Sequence, residues 1–461
     1  MENNNSRLIN DSELPWFCLE HHFGMGSIFL NEGKENLIAT FDLLVREAPH
    51  RNFLLMGGLE AIINFIKNLH YDDPLITHLL KSKRISDKFA KYLNTLTFSG
   101  DIYALPEGTV HFPGEPMLRV TAPIIEANLI TDQLIALANI DTLLLSKLAR
   151  VRIAAEDKRC GMGFVRAQGI DAAWRVCRNS LFFENMGFNN VSVSHRLGLL
   201  ATASVFNANH AFIKSFGSEI EAFRAAARNF PDAISPMFDT YEVEQGMTNV
   251  IKVADELKAN GNQLNSIVVD SGDLLAVAKY ARKRLDEAGH IKTKIAVSSN
   301  LDEYKISKLL KNNIPADIFM IVTEVVTSAD APKLETVYKL AQIDDNGQIR
   351  YTAKFSPGKL SLPGKKQIYR KLSGGKIEGD IIGLEGENDL GQALLIPIFK
   401  KGKLVYRIPT NDERKNYVAE QLSLLPQKYK DIFKEHKPPL VISEKIKELL
   451  EAVRSEHVVS G

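Results

Sequence analysis

The sequence predicts an α/β protein whose middle third carries parallel strands in β/α repeats. Three observations support that expectation. Between Ala233 and Thr323 one phrase recurs: an apolar strand, a short polar stop, then an amphipathic helix. Gly261 and Gly289 follow two of the helical patterns directly, where a left-handed terminator belongs. After Lys333 the pattern changes to short apolar runs parted by turn residues. Regular alternation of this kind favours parallel strands joined by right-handed crossovers. In a β/α barrel the loops after the strands share one rim, so polar stops far apart in sequence converge in space.

Taken in order, Met1 to Asp11 reads as a loose, Asn-rich tail without an apolar core of the kind a secretory signal needs. Leu59, Ile62, Ile63 and Ile66 have helical spacing after Gly57-Gly58. Asp101 to Arg119 reads as strands interrupted by Pro106, Pro113 and Pro116. One long helix is expected over Ile125 to Ala155, with Lys147 and Arg150 near its end, joining an outer domain to the barrel. Ser218 to Glu221 matches a capping box. Strands are then expected at Ala233 to Phe238, Ser266 to Val269, Lys294 to Val297 and Ala316 to Val322, with helices at Thr248 to Asn260, Leu274 to Ala288 and Asp302 to Lys311. Asp345-Asn346-Gly347 marks a hairpin, the Gly-, Pro- and Lys-rich stretch Ser356 to Gly375 reads as turns and a mobile loop, and Ser443 to Val453 reads as a terminal helix.

The 461 residues exceed one ordinary core, so two or three packed units are expected. Lys plus Arg total 57 against 56 for Asp plus Glu, which argues against a nucleic-acid or acidic-membrane partner. Any anionic ligand must therefore meet a local cluster of cations. Cys18, Cys160 and Cys177 are odd in number and widely spaced, as reduced cytosolic thiols are. No apolar run is long enough to span a bilayer.

The polar stops supply the candidate chemistry. Asp270 and Asp273, in Ile267-Val268-Val269-Asp270-Ser271-Gly272-Asp273, suit a hydrated Mg²⁺ or the hydroxyls of a sugar. Asp273 reads equally as the cap of the next helix. His210, between Asn209 and Ala211, is on its own more often a hydrogen-bonded structural residue. Arg166 reads as an anion clamp or an ordinary ion pair, and Gly161-Met162-Gly163 is a weak sign of close ligand approach.

Together these segments resemble the nicotinate phosphoribosyltransferases. Phe41-Asp42-Leu43-Leu44-Val45-Arg46, Leu105-Pro106-Glu107-Gly108, Met162-Gly163-Phe164-Val165-Arg166-Ala167-Gln168-Gly169, Phe216-Gly217-Ser218-Glu219, Asp239-Thr240-Tyr241, Val269-Asp270-Ser271-Gly272-Asp273, Val326-Thr327-Ser328 and Val441-Ile442-Ser443-Glu444-Lys445-Ile446 stand in that family's order. The resemblance runs from about Phe29 to the last helix. It implies an irregular β/α barrel over 126–335, with a second α+β domain built from 1–125 and 336–461. It also implies a cytoplasmic enzyme of NAD salvage that joins nicotinate to 5-phosphoribosyl pyrophosphate, using Mg²⁺ and coupling to ATP through a phosphorylated His210. On that resemblance His210, Asp239, Asp270 and Asp273 are catalytic, and Asp239 and Asp270 hold the metal. Arg46, Arg166, Asn189, Ser271, Gly272 and Thr323 bind substrate. A homodimer with sites across its interface is implied, Arg46 reaching the pyrophosphate from the partner subunit.

Several motifs depart from the family's pattern. Its amino-terminal tyrosine falls at His21, two of its arginines at Val165 and Val268, and its Gly-x-Gly-Thr phosphate loop at Met320-Ile321-Val322-Thr323, followed by Glu324. The histidine motif reads Phe206-Asn207-Ala208-Asn209-His210-Ala211. Asn189 stands where acid- and amide-preferring relatives differ, and an amide serves either ring substituent. Two readings follow: an active enzyme in which Lys147, Arg150 or Arg152 replaces the missing arginines, or a catalytically silent or altered-specificity relative that acts as a binding or regulatory partner or uses nicotinamide.

Overall fold

The computed structural model describes residues 13–199 and 206–457; the expected tail, Met1 to Asp11, lies outside them. Contacts divide the chain into two compact units, one formed by Met1–Ser146 with Ala331–Gly461 and the other by Lys147–Asp330. The sequence-based division was placed at 125/126, whereas the contacts divide the chain inside helix Thr131–Ala154. The physical reason is apolar: Leu134, Leu137, Ala138 and Leu143 belong to the core of the flanking unit, so the first part of that helix cannot be separated from it.

In the flanking unit, N- and C-terminal segments interleave in one 7-stranded sheet, whose middle is Thr336–Asp345, Ile38–Val45, Pro116–Pro123 and Asp101–Ala104. Those pairs are antiparallel. Helix Leu59–Lys67 buries Leu59, Ile62, Ile63 and Ile66 as its spacing predicts. A Cβ at Gly57 would lie 2.5 Å from the Asp141 carbonyl carbon, and one at Gly58 2.4 Å from the Leu137 oxygen, so the two glycines let a helix backbone pass directly against this turn. The long helix expected over Ile125 to Ala155 is two helices, Ile124–Leu129 and Thr131–Ala154. Asn346 and Gly347 form the expected hairpin turn, both at positive φ.

The stretch read as turns and a loop requires correction, because Lys366–Ser373 is a strand that pairs with Lys376–Leu384 and turns at Gly374-Gly375. Two of its charges are buried. Lys366 Nζ lies 2.7 Å from Asp42, and Arg370 clasps Asp380 at 2.9 Å and 2.5 Å, in side chains no more than 3% exposed, whereas Lys371 is exposed. Each buried cation is neutralised by a carboxylate from another strand.

Glu115 lies in the same buried cluster and accepts the Phe112 N–H at 2.9 Å. Burial first, then Asp380 beside it, holds its carboxyl well above the usual carboxylate range. A raised carboxyl stabilises the fold below the unfolded-state value, and that contribution is lost as pH rises from there through the folded-state value. Glu115→Gln removes the titration. Its thermal midpoint should therefore gain on the native protein as pH rises above about 4.3, the ordinary glutamate value. Parallel melting curves across that range would contradict the assignment.

Among its described residues the second unit holds only parallel ladders. Its strands are numbered here β1 (Arg159–Met162), β2 (Met186–Phe188), β3 (Phe206–Ala208), β4 (Ile234–Pro236), β5 (Ser266–Val269), β6 (Lys294–Val297) and β7 (Ile318–Ile321). The ladders join β5-β6-β7-β1-β2 and β3-β4, and a single bridge from Met237 to Val268 links β4 to β5. The order is therefore a cyclic permutation of the sequence order, the last strand pairing with the first, as in a β/α barrel read around its circumference. Among the described residues no ladder joins β2 to β3.

Helix Val243–Ala259 begins earlier than the expected Thr248, and Gly261 and Gly289 stand at positive φ after their helices. Asp302 caps helix Glu303–Lys311 through the Lys305 N–H, and Ser218 caps helix Glu219–Asn229 through the Glu221 N–H. The final polar stop opens into a short helix, Thr323–Val326. Among the described residues no helix is long and apolar enough to cross a membrane. Cys18, Cys160 and Cys177 are free thiols.

Candidate active site

Three strand ends meet around His210. Beyond β3, Asn209 caps a short helix by accepting the Phe212 N–H, which makes His210 the first residue of that helix. Beyond β4 come Asp239 and Thr240, and directly beyond β5 comes Asp270; the Met237 to Val268 bridge holds these two exits side by side. His210 Nδ1 lies 3.0 Å from Thr240 Oγ1. Its Nε2 lies 3.9 Å from Asp239 Oδ1 and 3.7 Å from Asp270 Oδ2. One ring nitrogen is thus engaged, and the other faces two carboxylates across gaps longer than a hydrogen bond.

Asp239 is the more constrained acid. Its side chain is 1% exposed, Ser271 Oγ donates to its Oδ2 at 2.5 Å, and its Oδ1 has no partner among the described residues. A buried carboxylate oxygen without a donor is costly, and a cation offsets that cost. Gly272 takes φ +73° in the turn from β5 into the next helix. The arrangement fits Mg²⁺ in one respect: two carboxylates with an open oxygen suit an ion whose remaining ligands are water and phosphate. Among the described residues no group of three or more His, Cys, Asp or Glu side chains is placed to hold a metal.

The remaining sequence-derived residues are placed differently. Asp273 caps helix Leu274–Glu287, accepting the Leu275 and Ala276 N–H groups at 3.1 Å each, so the helix-capping reading holds for it. Arg166 donates to Thr323 Oγ1 at 2.9 Å, which ties the loop after β1 to the end of β7. Asn189 is exposed just beyond β2, and among the described residues no hydrogen bond joins it to the histidine cluster. Arg46 belongs to the flanking unit, where it lies 3.7 Å from Glu335. There it is one of a group of cations: Lys339 is held below the usual lysine range first by partial burial, then by Arg46, Lys354 and Lys359.

The cations considered as replacements for the missing arginines are engaged elsewhere. Lys147 Nζ lies 2.6 Å from Glu303 and 2.7 Å from Asp330, and Arg150 Nε lies 2.8 Å from Glu303, in side chains at most 4% exposed apart from Asp330. Arg152 donates to the backbone oxygens of Glu184 and Glu156. Sequence reasoning missed Lys305, whose Nζ reaches back 2.8 Å to the Ser299 oxygen beyond β6. Ser299 and Asn300 both take positive φ there, 89° and 47°, a strained loop for non-glycine residues at the same rim. It also left Thr240 without a role, although that residue stands beside Asp239 in the same polar stop.

Gly161 and Gly163 have a packing explanation. A Cβ on Gly161 would lie 2.7 Å from Met320 Sδ, and one on Gly163 2.8 Å from a Val322 methyl. The bulky residues at the end of β7 therefore occupy the space that these glycines leave open.

Comparison with known proteins gives a consistent result. The family model described as nicotinate phosphoribosyltransferase N-terminal domain matches residues 20–139, and the corresponding C-terminal domain matches 390–450. A nicotinate phosphoribosyltransferase of Mycobacterium tuberculosis is 35% identical over 88% of this chain and 87% of its own length. One from Bacillus subtilis is 32% identical over 92% of both chains. Among solved structures, human nicotinic acid phosphoribosyltransferase superposes with a TM-score of 0.83 at 23% identity, covering 95% of this chain and 99% of its own. The Pyrococcus furiosus nicotinate-nucleotide pyrophosphorylase superposes with a TM-score of 0.71 at 19% identity, covering 91% and 98%. These two likenesses establish the α/β fold.

Proposed function

Because the chain belongs to the nicotinate phosphoribosyltransferase family, being 35% identical to one member over 88% of its length, we propose that it joins nicotinate to 5-phosphoribosyl pyrophosphate in NAD salvage, with Mg²⁺ and with ATP hydrolysis coupled through His210. The observation that carries this reading is the convergence of His210, Asp239 and Asp270 from three strand ends.

In the tautomer that donates Nδ1–H to Thr240 Oγ1, 3.0 Å away, Nε2 keeps its lone pair as the nucleophile toward the terminal phosphorus of ATP, ADP departing. The phosphoryl group then lies beside two carboxylates. Two like unit charges about 4 Å apart repel by about 4 kcal/mol at an effective dielectric of 20. Mg²⁺ held by Asp239 and Asp270 would neutralise that repulsion and the charge of the departing pyrophosphate. Arg166 and Thr323 bind phosphate oxygens, and Lys305 supplies the rim cation in place of Lys147, Arg150 and Arg152. The cations around Lys339, Arg46 among them, form a second anion-binding surface, presented by the partner subunit in a homodimer. Asn189 faces the pyridine substituent.

The engaged Lys147 and Arg150 also favour a second reading, a relative with altered specificity or without turnover, since fewer guanidinium groups remain for anions. One experiment separates the two. Purified protein is given labelled nicotinate or nicotinamide, 5-phosphoribosyl pyrophosphate and Mg²⁺, with and without γ-labelled ATP. Mononucleotide from nicotinate, stimulated by ATP, with acid-labile label on the protein that is lost in His210→Ala, is the expected outcome. Folded protein that forms no mononucleotide from either base would establish the second reading.

A further inference from the structure

Glu219 is an acid that the reaction above does not use. It opens helix Glu219–Asn229 and is 7% exposed. Asn249 Nδ2, from helix Val243–Ala259, donates to its Oε2 at 2.9 Å, and its Oε1 is buried without a partner among the described residues. Gln245 Nε2 donates in turn to Asn249 Oδ1 at 3.2 Å, which orients the amide. One turn before Asn249 stands Gly246, where an added Cβ would lie 1.8 Å from the Phe238 oxygen and 3.3 Å from Glu219 Oε2. No side chain fits in that gap.

Phe238 directly precedes Asp239. The helix backbone at Gly246 therefore abuts the peptide that carries the catalytic carboxylate, and the Glu219 to Asn249 bond ties the same helix down one turn further on. We propose that Glu219 is a positioning residue: with Asn249 and Gly246 it forms a clamp that holds the Phe238-Asp239 peptide so that Asp239 Oδ1 faces His210. This inference rests on the function proposed above.

Burial first, and Asp239 after it, raise the Glu219 carboxyl from its ordinary value, against the lowering effect of the Asn249 bond. A leucine would pack as well in a simple core, and a buried oxygen without a donor is unfavourable there. The acceptor that Asn249 requires explains why a carboxyl stands at this position.

The test compares Glu219→Gln, which keeps an acceptor and is neutral, with Glu219→Ala, which removes the tie. Displacements on the order of 1 Å in an active site cost as much as about 100-fold in rate. Glu219→Ala should therefore lose roughly 10- to 100-fold in kcat with KM for nicotinate little changed, while Glu219→Gln stays within about threefold of the native protein. A second readout does not depend on turnover. In protein labelled at histidine Cε1, the His210 resonance at one fixed pH, assigned by its absence in His210→Ala, should be displaced in Glu219→Ala, because the Asp239 carboxylate beside the ring has moved, and should keep its native position in Glu219→Gln. A native-like kcat and His210 resonance in Glu219→Ala would overturn the clamp, and so would a Glu219→Gln variant as impaired as Glu219→Ala. If Glu219→Ala does not fold, Asn249→Asp, which removes the donor at constant size, is measured with the same outcomes. Absence of mononucleotide from the native protein, with the His210 resonance displaced as described, would refute the proposed reaction and leave the clamp standing.

Discussion

Asp239→Asn lowers mononucleotide formation by roughly two orders of magnitude while the protein melts no lower than the native one. The substitution keeps the size of the side chain and an oxygen to accept the Ser271 hydroxyl. What it removes is charge, at the one carboxylate near His210 that is almost wholly buried and has a free oxygen. A charge-assisted contact is worth about 1.5 to 3 kcal/mol, and each 1.36 kcal/mol is a factor of ten in rate. Stability moves the other way, because an unpartnered buried carboxylate is itself destabilising and a neutral amide relieves it. Steady-state kinetics and a melting curve on the same preparation check both halves. If kcat stays within about threefold of the native value, Asp239 is not at the reacting centre.

Glu303→Gln is the change expected to destabilise the barrel unit most. Glu303 is fully buried and is the carboxylate shared by Lys147 and Arg150. Tyr304, beside it, accepts a bond from Arg150 at 2.8 Å. Removing the charge takes from two buried cations the carboxylate they share, and breaking such a pair costs about 3 to 5 kcal/mol. In a unit of this size 1 kcal/mol moves the midpoint by about 2 to 4 °C, so a fall of about 10 °C is expected by calorimetry. A shift below about 2 °C would mean that water reaches these cations, and they would again be candidates for binding substrate phosphate.

The two predictions bear on one question, where the charge of this protein is spent. Sequence patterns located the strands at Ser266–Val269 and Lys294–Val297 residue for residue, because an apolar run ending in a polar stop is a local signal. They placed the start of helix Val243–Ala259 less well, since Val243 to Thr248 carries polar residues that only the packed helix accommodates. They misread Lys366–Ser373 because the Gly, Pro and Lys content of that stretch is that of turns, and the carboxylates that let Lys366 and Arg370 enter a buried strand, Asp42 and Asp380, come from other strands. Lys147 and Arg150 are likewise neutralised by Glu303, which is remote in the chain. Lys305 escaped notice because a lysine in the first turn of a helix has no signature until the preceding loop folds back to it.

Asp273 shows the limit for a single residue. Capping and catalysis call for the same residue type at the same place after a strand, and the contacts to two N–H groups at 3.1 Å that establish the cap appear only in the folded chain. Gly161 and Gly163 show it for a pair: their need is set by Met320 and Val322, which are remote in the chain and adjacent in the sheet.

By itself, then, the sequence determined the order of β/α repeats, the identity of the acids and the histidine at the strand ends, and the family. Those follow from periodicity, local turn chemistry and motif order, each contained within a few residues. Only the tertiary structure decided which charges are neutralised in the interior and which remain open at the rim, because pairs such as Lys366 with Asp42 and Lys147 with Glu303 join side chains remote in the chain. Burial, which sets the cost of leaving such a charge unpaired, belongs to the packed chain.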